Sequence, residues 1–240
     1  SYLLDSRQSG PLLARERYEN HGSKALQFSP GDFSGTLKSL GITHDRKAVS
    51  GSMAAIIREK GVNGDREMAY ALWLAGFDVR DVHMTDLISG RETLEDLNMI
   101  VFVGGFSNSD VLGSAKGWAG AFRYNEKARI ALKKFYDRDD TLSLGVCNGC
   151  QLMAELGLIV PDHEEMPRLE HNSSHKFESN FLGVKIQPNK SVMLSGLADM
   201  ELGIWVAHGE GRFVFPYPEE SYNVVMKYSS GIYPANPNGS

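Results

Sequence analysis

From Met53 onward, short apolar runs alternate with amphipathic stretches, the pattern of strand–helix–strand units built on a largely parallel sheet. Ala54 to Arg58 is the first such run. Met68, Ala71, Leu72 and Ala75 then recur at i, i+3, i+4 and i+7, which predicts an amphipathic helix ended by Gly76. Asp78 to Val82 and Met99 to Val103 read as strands, the second closed by Gly104-Gly105. Trp118, Phe122, Leu132 and Phe135 fall on one face of what the spacing predicts as a single long helix. Leu142 to Val146 is a further buried strand, Asn148 to Leu156 a helix, and Phe181 to Ile186, Ile204 to Ala207 and Tyr222 to Lys227 are strands. The expected fold class is therefore α/β, an open, mostly parallel sheet flanked by helices.

Residues 1–52 lack this rhythm. They are rich in Ser, Gly, Arg and Lys, and read as a linker with a short helix around Leu12 to Tyr18 and turn chemistry at Ser29-Pro30-Gly31-Asp32. The domain reading is a linker over 1–52 and one α/β domain over 53–240. Neither end reads as natural: the first residue is Ser1, and Tyr233 to Ser240 is a run of turn formers with nothing after it to pack. At 240 residues and 42% hydrophobic content the chain can bury a substantial core. A net charge of -5 supplies no basic excess for a phosphate backbone or an anionic membrane, so neither nucleic acid nor membrane is an expected partner. No apolar run nears the roughly 20 residues that span a bilayer, and Ser1 to Asp5 lacks the plan of a secretory signal. A cytoplasmic location is expected. The two cysteines, Cys147 and Cys150, are too close in sequence to staple a fold, which suits a reducing compartment and leaves either thiol open to a chemical role.

Cys147 is the centre of Gly145-Val146-Cys147-Asn148-Gly149, where a buried strand hands over to a helix. Small neighbours at such an elbow let strand and helix approach while the central side chain is thrust outward. The positive end of the helix dipole favours the thiolate there, and the amide of Asn148 points into the same space, where it can help bind a tetrahedral oxyanion. Gly105, in the loop after an earlier strand, is a candidate second donor. The same loop reads equally well as a tight turn with a cap by Ser109 or Asp110. Cys147-Asn148-Gly149-Cys150 is also a C-x-x-C, which keeps a redox reading open, although Cys150 fits better as a packing residue. Glu59 to Gly64 has neither the glycine pattern nor the lysine of a phosphate cradle.

A cysteine hydrolase needs a histidine to move protons. His208 in Ala207-His208-Gly209-Glu210-Gly211-Arg212 follows a predicted strand and is the strongest of seven histidines, with a glycine-rich structural turn as the competing reading. His171 and His175 have metal-pair spacing, but no third ligand is in view and the segment reads as a polar loop, so no metal is expected.

These motifs, taken in order, resemble a known family. Arg58 to Asn63, Gly104 to Ser107, Asp110 to Gly113, Gly145 to Gln151, Pro167-Arg168, Asn172-Ser173, His208 to Arg212 and Tyr233 to Ser240 are similar to the C-terminal glutaminase domain of the phosphoribosylformylglycinamidine synthases. The resemblance implies a class I glutamine amidotransferase fold of flavodoxin-like plan. It implies Cys147 as the nucleophile that forms a glutamyl thioester, Gly105 and Asn148 as the oxyanion hole, and Gln151, His208, Gly209 and Glu210 on the glutamine side. It implies glutamine and the synthetase region of a parent chain as partners. No cofactor is implied for this domain, and ATP and magnesium are implied for the synthetase region, which amidinates formylglycinamide ribonucleotide in purine biosynthesis. Residues 1–52 would be the end of that region and its linker. The family's histidine and glutamate lie in a Pro-His-x-Glu-like segment past the Asn-Pro-Asn-Gly stretch, which these residues do not reach, so the chain is expected to be a fragment with its nucleophile but without its base. The alternatives are a non-catalytic glutamine-binding fragment and a cysteine hydrolase or redox protein of the DJ-1 type.

Overall fold

The computed structural model describes residues 10–20, 28–29, 36, 38–39, 41–43 and 45–240. The stretch Ser1 to Asp5, and the expected turn beyond Ser29, lie outside the described residues. The described residues of Gly35–Pro161 form one compact unit, and those of Ser1–Ser34 with Asp162–Ser240 form a second.

The first unit is a four-stranded parallel sheet. Strands β1 (Met53–Arg58), β2 (Asp78–His83), β3 (Met99–Phe102) and β4 (Leu142–Gly145) lie in the order β2-β1-β3-β4. The register runs Ala54 to Met99 between β1 and β3, and Met99 to Leu142 between β3 and β4. Because side chains alternate across a strand, the two faces of β1 divide the core. Ala54 and Ile56 join Val101, Val103 and Leu72 on one face, covered by α2 (Asp65–Leu74). Ala55 and Ile57 join Ile100 and Phe102 on the other face, covered by four helices. These are α3 (Met84–Ser89), α4 (Lys116–Tyr124), α5 (Glu126–Tyr136) and α6 (Asn148–Glu155).

Phe102 is the pivot of the larger core. Its ring meets Trp118 at 6.1 Å and Phe122 at 5.9 Å, both edge-on, and all three side chains are fully buried. Such pairs add about 0.5–1.5 kcal/mol each beyond area burial. The single long helix expected across Trp118 to Phe135 is instead two helices. Asn125 leaves the helical region at φ −95°, ψ 119°, and its side-chain oxygen accepts from Ala128 N at 3.0 Å. An Asn in that role starts a new helix rather than continuing the old one, and both helices still place their apolar faces on the sheet.

Part of the segment read as a linker is docked. Ser50 N and Gly51 N both donate to Asp78 Oδ2 at 2.8 Å, and Arg46 lies over the Trp73 ring. The Asp78 carboxyl is held below its ordinary range first by the Gly51 amide, although burial pulls the other way.

The second unit is antiparallel. Strand β6 (Glu178–Ile186) pairs with β7 (Glu201–His208) and with β9 (Met226–Tyr228), while the short β5 (Arg168–Glu170) and β8 (Arg212–Val214) pair with each other. Neither of those two short strands was expected from the apolar pattern. The strand expected at Tyr222 to Lys227 begins only at Met226. A 3-10 turn over Glu219–Ser221 precedes it, and the Tyr222 hydroxyl accepts from Tyr217 N at 3.1 Å, which holds this part of the chain in a turn. Helix α1 (Pro11–Asn20) covers the short helix expected around Leu12. It is tied into this unit by Asn20 Nδ2, which donates to Tyr233 O at 3.0 Å, and by Arg17, 3.6 Å from Glu178.

Candidate active site

In an open parallel sheet, ligands bind beyond the carboxyl ends of the strands, near the point where the strand order reverses. Here that point lies between β1 and β3. Three loops meet there: 59–64 after β1, 103–109 after β3, and Val146-Cys147 after β4. Gly64 N donates to Gly104 O at 3.2 Å, Asn108 N to Lys60 O at 2.8 Å, and Val146 N to Phe102 O at 3.0 Å. The loops are thus laced to one another by backbone bonds before any side chain is considered.

Cys147 sits at φ 54°, ψ −111°, immediately before α6, and is exposed. That backbone is unfavourable for any residue with a Cβ and is the kind of strain found at nucleophile elbows. The elbow exists because strand and helix nearly touch. A Cβ on Gly149 would overlap the carbonyl of Phe102, and one on Gly145 would lie 2.6 Å from Gly149 O. Gly105 is equally constrained: at φ 117°, any Cβ would lie 2.6 Å from Asn63 N. Gly104 packs directly under Cys147, since a Cβ there would be 3.0 Å from that of Cys147.

Cys150 has a different environment. Burial, assisted by the neighbouring Cys147, pushes its thiol up to about 11. A thiol so reluctant to ionise is a poor attacking nucleophile.

Asn148 is only 3% exposed. Its Nδ2 donates to Asp110 Oδ1 at 3.0 Å and Oδ2 at 3.1 Å, and more loosely to Gln151 Oε1 at 3.4 Å. Its Oδ1 is buried with no hydrogen-bond partner among the described residues. Asp110 is more than the loop cap that its sequence suggests. Its carboxylate also accepts from Ser107 N at 2.8 Å, Ser107 Oγ at 2.9 Å and Ala115 N at 2.8 Å. The one sequence cue for this role was Ser107-x-x-Asp110, a capping-box spacing.

The remaining candidates, His208, Gly209 and Glu210, belong to the antiparallel unit. His208 ends β7, and burial holds its imidazole below its ordinary value despite the opposing pull of Glu178. Its environment is organised by Asn172, which the sequence reading undervalued. Asn172 Nδ2 donates to His208 O at 2.7 Å and Lys176 O at 3.0 Å, which fixes the amide orientation. Asn172 Oδ1 must then accept, from Gly211 N at 3.2 Å and from His208 Nδ1 at 3.0 Å. His208 therefore carries its proton on Nδ1. The backbone of Gly209 accepts from Asn172 N at 2.8 Å, and Glu210 lies 3.9 Å from His171. Asn172→Ala would orphan several buried groups of this loop, and should cost about 2–3 kcal/mol in chemical denaturation. An unchanged denaturation midpoint would show that the loop does not depend on Asn172. His171 and His175 lie in the polar loop expected of them.

A family described as the CobB/CobQ-like glutamine amidotransferase domain matches residues 52–240. The chain belongs to that family. The amidotransferase domain is 52% identical over 169 residues to the "probable phosphoribosylformylglycinamidine synthase, chloroplastic/mitochondrial" of Arabidopsis thaliana, covering 68% of this chain and 12% of that protein. It is 44% identical over 212 residues to the phosphoribosylformylglycinamidine synthase of Homo sapiens, covering 78% of this chain and 16% of the relative. The chain thus spans between 12% and 16% of the length of these relatives. Among solved structures it is similar to the "structure of PurLQS from Thermotoga maritima", with a TM-score of 0.62 and 29% identity, covering 79% of this chain and 78% of that one. The fold is thus the α/β, mostly parallel arrangement of the class I glutamine amidotransferases. Among the described residues, no helix is long and apolar enough to cross a membrane.

Proposed function

We propose that this domain hydrolyses glutamine through a thioester on Cys147 and supplies the ammonia to the synthetase region of a phosphoribosylformylglycinamidine synthase. The observation that carries the reading is the strained, exposed Cys147 at the start of α6, with the loops of Gly105 and Asn148 beside it, in a chain of amidotransferase family. The thiolate sulfur attacks the side-chain carboxamide carbon of glutamine, and the carbonyl electron pair moves onto oxygen, where the Gly105 and Asn148 amides stabilise it. As the tetrahedral species collapses, the leaving nitrogen takes up a proton and the C–N bond breaks, so that ammonia departs and a glutamyl thioester remains. One water then releases glutamate and regenerates the thiol. His208 is a weak choice for the proton transfers, because partial burial holds its imidazole below its ordinary value and weakens it as a base. The resemblance assigns them to a histidine–glutamate pair beyond the Asn236-Pro237-Asn238-Gly239 stretch. It nominates Gln151, His208, Gly209 and Glu210 for contacts with glutamine. ATP and magnesium serve the synthetase step, the amidination of formylglycinamide ribonucleotide.

The direct test is covalent labelling. A glutamine-derived chloroketone should add one equivalent to the peptide containing Cys147, and free glutamine should slow the addition. Modification of Cys150 instead, or a rate indifferent to glutamine, would sink the reading.

A further inference from the structure

We propose that Asp110 is a positioning residue of the oxyanion pocket, a strap that holds the Gly105 and Asn148 amides at a fixed separation. The inference rests on the glutamine-hydrolysis reading above and deepens it. The two amides come from different elements: Gly105 from the loop after β3, and Asn148 from the first residue of α6. An oxyanion is stabilised only when both donors are preset at about 2.7–3.1 Å from where the charge develops. Backbone bonds alone lace the loops at Val146–Phe102 and Gly64–Gly104, but none of these restrains the Asn148 side of the pocket against the loop beyond Gly105. Asp110 does. Its carboxylate takes both the amide and the hydroxyl of Ser107, two residues past Gly105, and the carboxamide of Asn148, 38 residues further along the chain. Ala115 N, just before α4, is a further donor and anchors the strap to the helix layer.

The residue type fits this role and no other in view. Every partner of the carboxylate is a donor, so the group must offer only acceptors. An asparagine of the same shape would turn an NH2 toward at least one donor and break the strap there. A purely local cap would need only Ser107 and Ala115. The bond to Asn148, which is nearly fully buried and leaves its own Oδ1 without a partner, connects that cap to the residue beside the nucleophile. Asp110 acts on the two amides by way of Ser107 and Asn148.

The test uses the full-length protein and three readouts: glutamate release, inactivation by a glutamine-derived chloroketone, and inactivation by iodoacetamide. The chloroketone passes through a tetrahedral oxyanion. Iodoacetamide alkylates sulfur by displacement at a methylene carbon and develops none. Asp110→Asn should lower kcat by about 10- to 100-fold, less than the loss of a whole oxyanion donor, with KM for glutamine changed by less than about threefold. Chloroketone inactivation should fall in step with kcat while the iodoacetamide rate stays within about twofold of wild type. Asn148→Ala, which cuts the strap but leaves the Ser107 and Ala115 bonds, should give the same signature and decides the matter if Asp110→Asn does not fold. Equal slowing by both reagents, or wild-type kinetics throughout, overturns the strap. If the wild-type protein itself releases no glutamate and takes no chloroketone on Cys147, the glutamine reading fails, and the strap fails with it.

Discussion

Cys147→Ala should abolish glutamate release, with a loss on the order of 10^4-fold or more, because no other group among the described residues of the elbow can form the thioester. The stability of the two smallest replacements should part company. The backbone at φ 54°, ψ −111° is unfavourable for alanine as it is for cysteine, so Cys147→Ala should melt close to wild type. Cys147→Gly removes the Cβ that makes the conformation costly, and should gain about 1 kcal/mol out of the 1–3 kcal/mol such strain stores. Paired measurements of glutamate release and thermal melting decide this. Residual turnover in Cys147→Ala would remove Cys147 from its role, and a glycine variant that melts lower than the alanine one would show the elbow to be relaxed.

Gly149→Ala should damage both fold and activity. The added methyl would overlap the carbonyl of Phe102 and lie 2.8 Å from its Cβ. Phe102 has little room to retreat, since its fully buried ring meets both Trp118 and Phe122 edge-on. Relief must come from α6, which would move away from the sheet and carry Cys147 and Asn148 with it. Overpacking of this kind costs about 1–3 kcal/mol, here with little room to relax, and a displacement near 1 Å at the pocket is worth about 100-fold in rate. The expected result is a lower melting temperature together with a sharply reduced kcat. Wild-type values for both would mean that strand and helix are less closely held than the glycine spacing indicates.

Much of this was legible in the sequence, for reasons that differ by residue. The parallel-sheet unit announced itself because β1 and β3 are buried on both faces and so appear as continuous apolar runs, and because Gly145 and Gly149 bracket Cys147 at the spacing an elbow requires. Strand β4, expected as a buried strand, is instead an edge strand that is at most half-buried, with Leu142 exposed. The break at Asn125 was hidden because the apolar periodicity continues through it: both helices face the same sheet, and only the capping chemistry of a single Asn separates them. In the antiparallel unit, β5 and β8 are three residues each, too short to show alternation. Asp110 and Asn172 escaped for a common reason. Each acts through partners tens of residues away, and a polar side chain in a loop looks the same in sequence whether it meets water or four buried groups. Asp110 bonds Asn148 across 38 residues, and Asn172 bonds His208 across 36.

The two units also differ in when they can exist. All four strands and the helices around Cys147 come from one continuous stretch, so a chain emerging from the ribosome holds everything the nucleophile elbow needs once that stretch is out. The antiparallel unit has no such privilege. Helix α1 is among the earliest described residues made, yet Asn20 bonds Tyr233, 213 residues later, and Ser29 bridges to Glu201. At 5–20 residues per second that is a wait of roughly 10 to 40 s. During that interval the sheet around Cys147 has all its strands at hand, while α1 still lacks Glu178 and Tyr233, the residues that tie it down, and is left open to chaperones and proteases in the newborn chain.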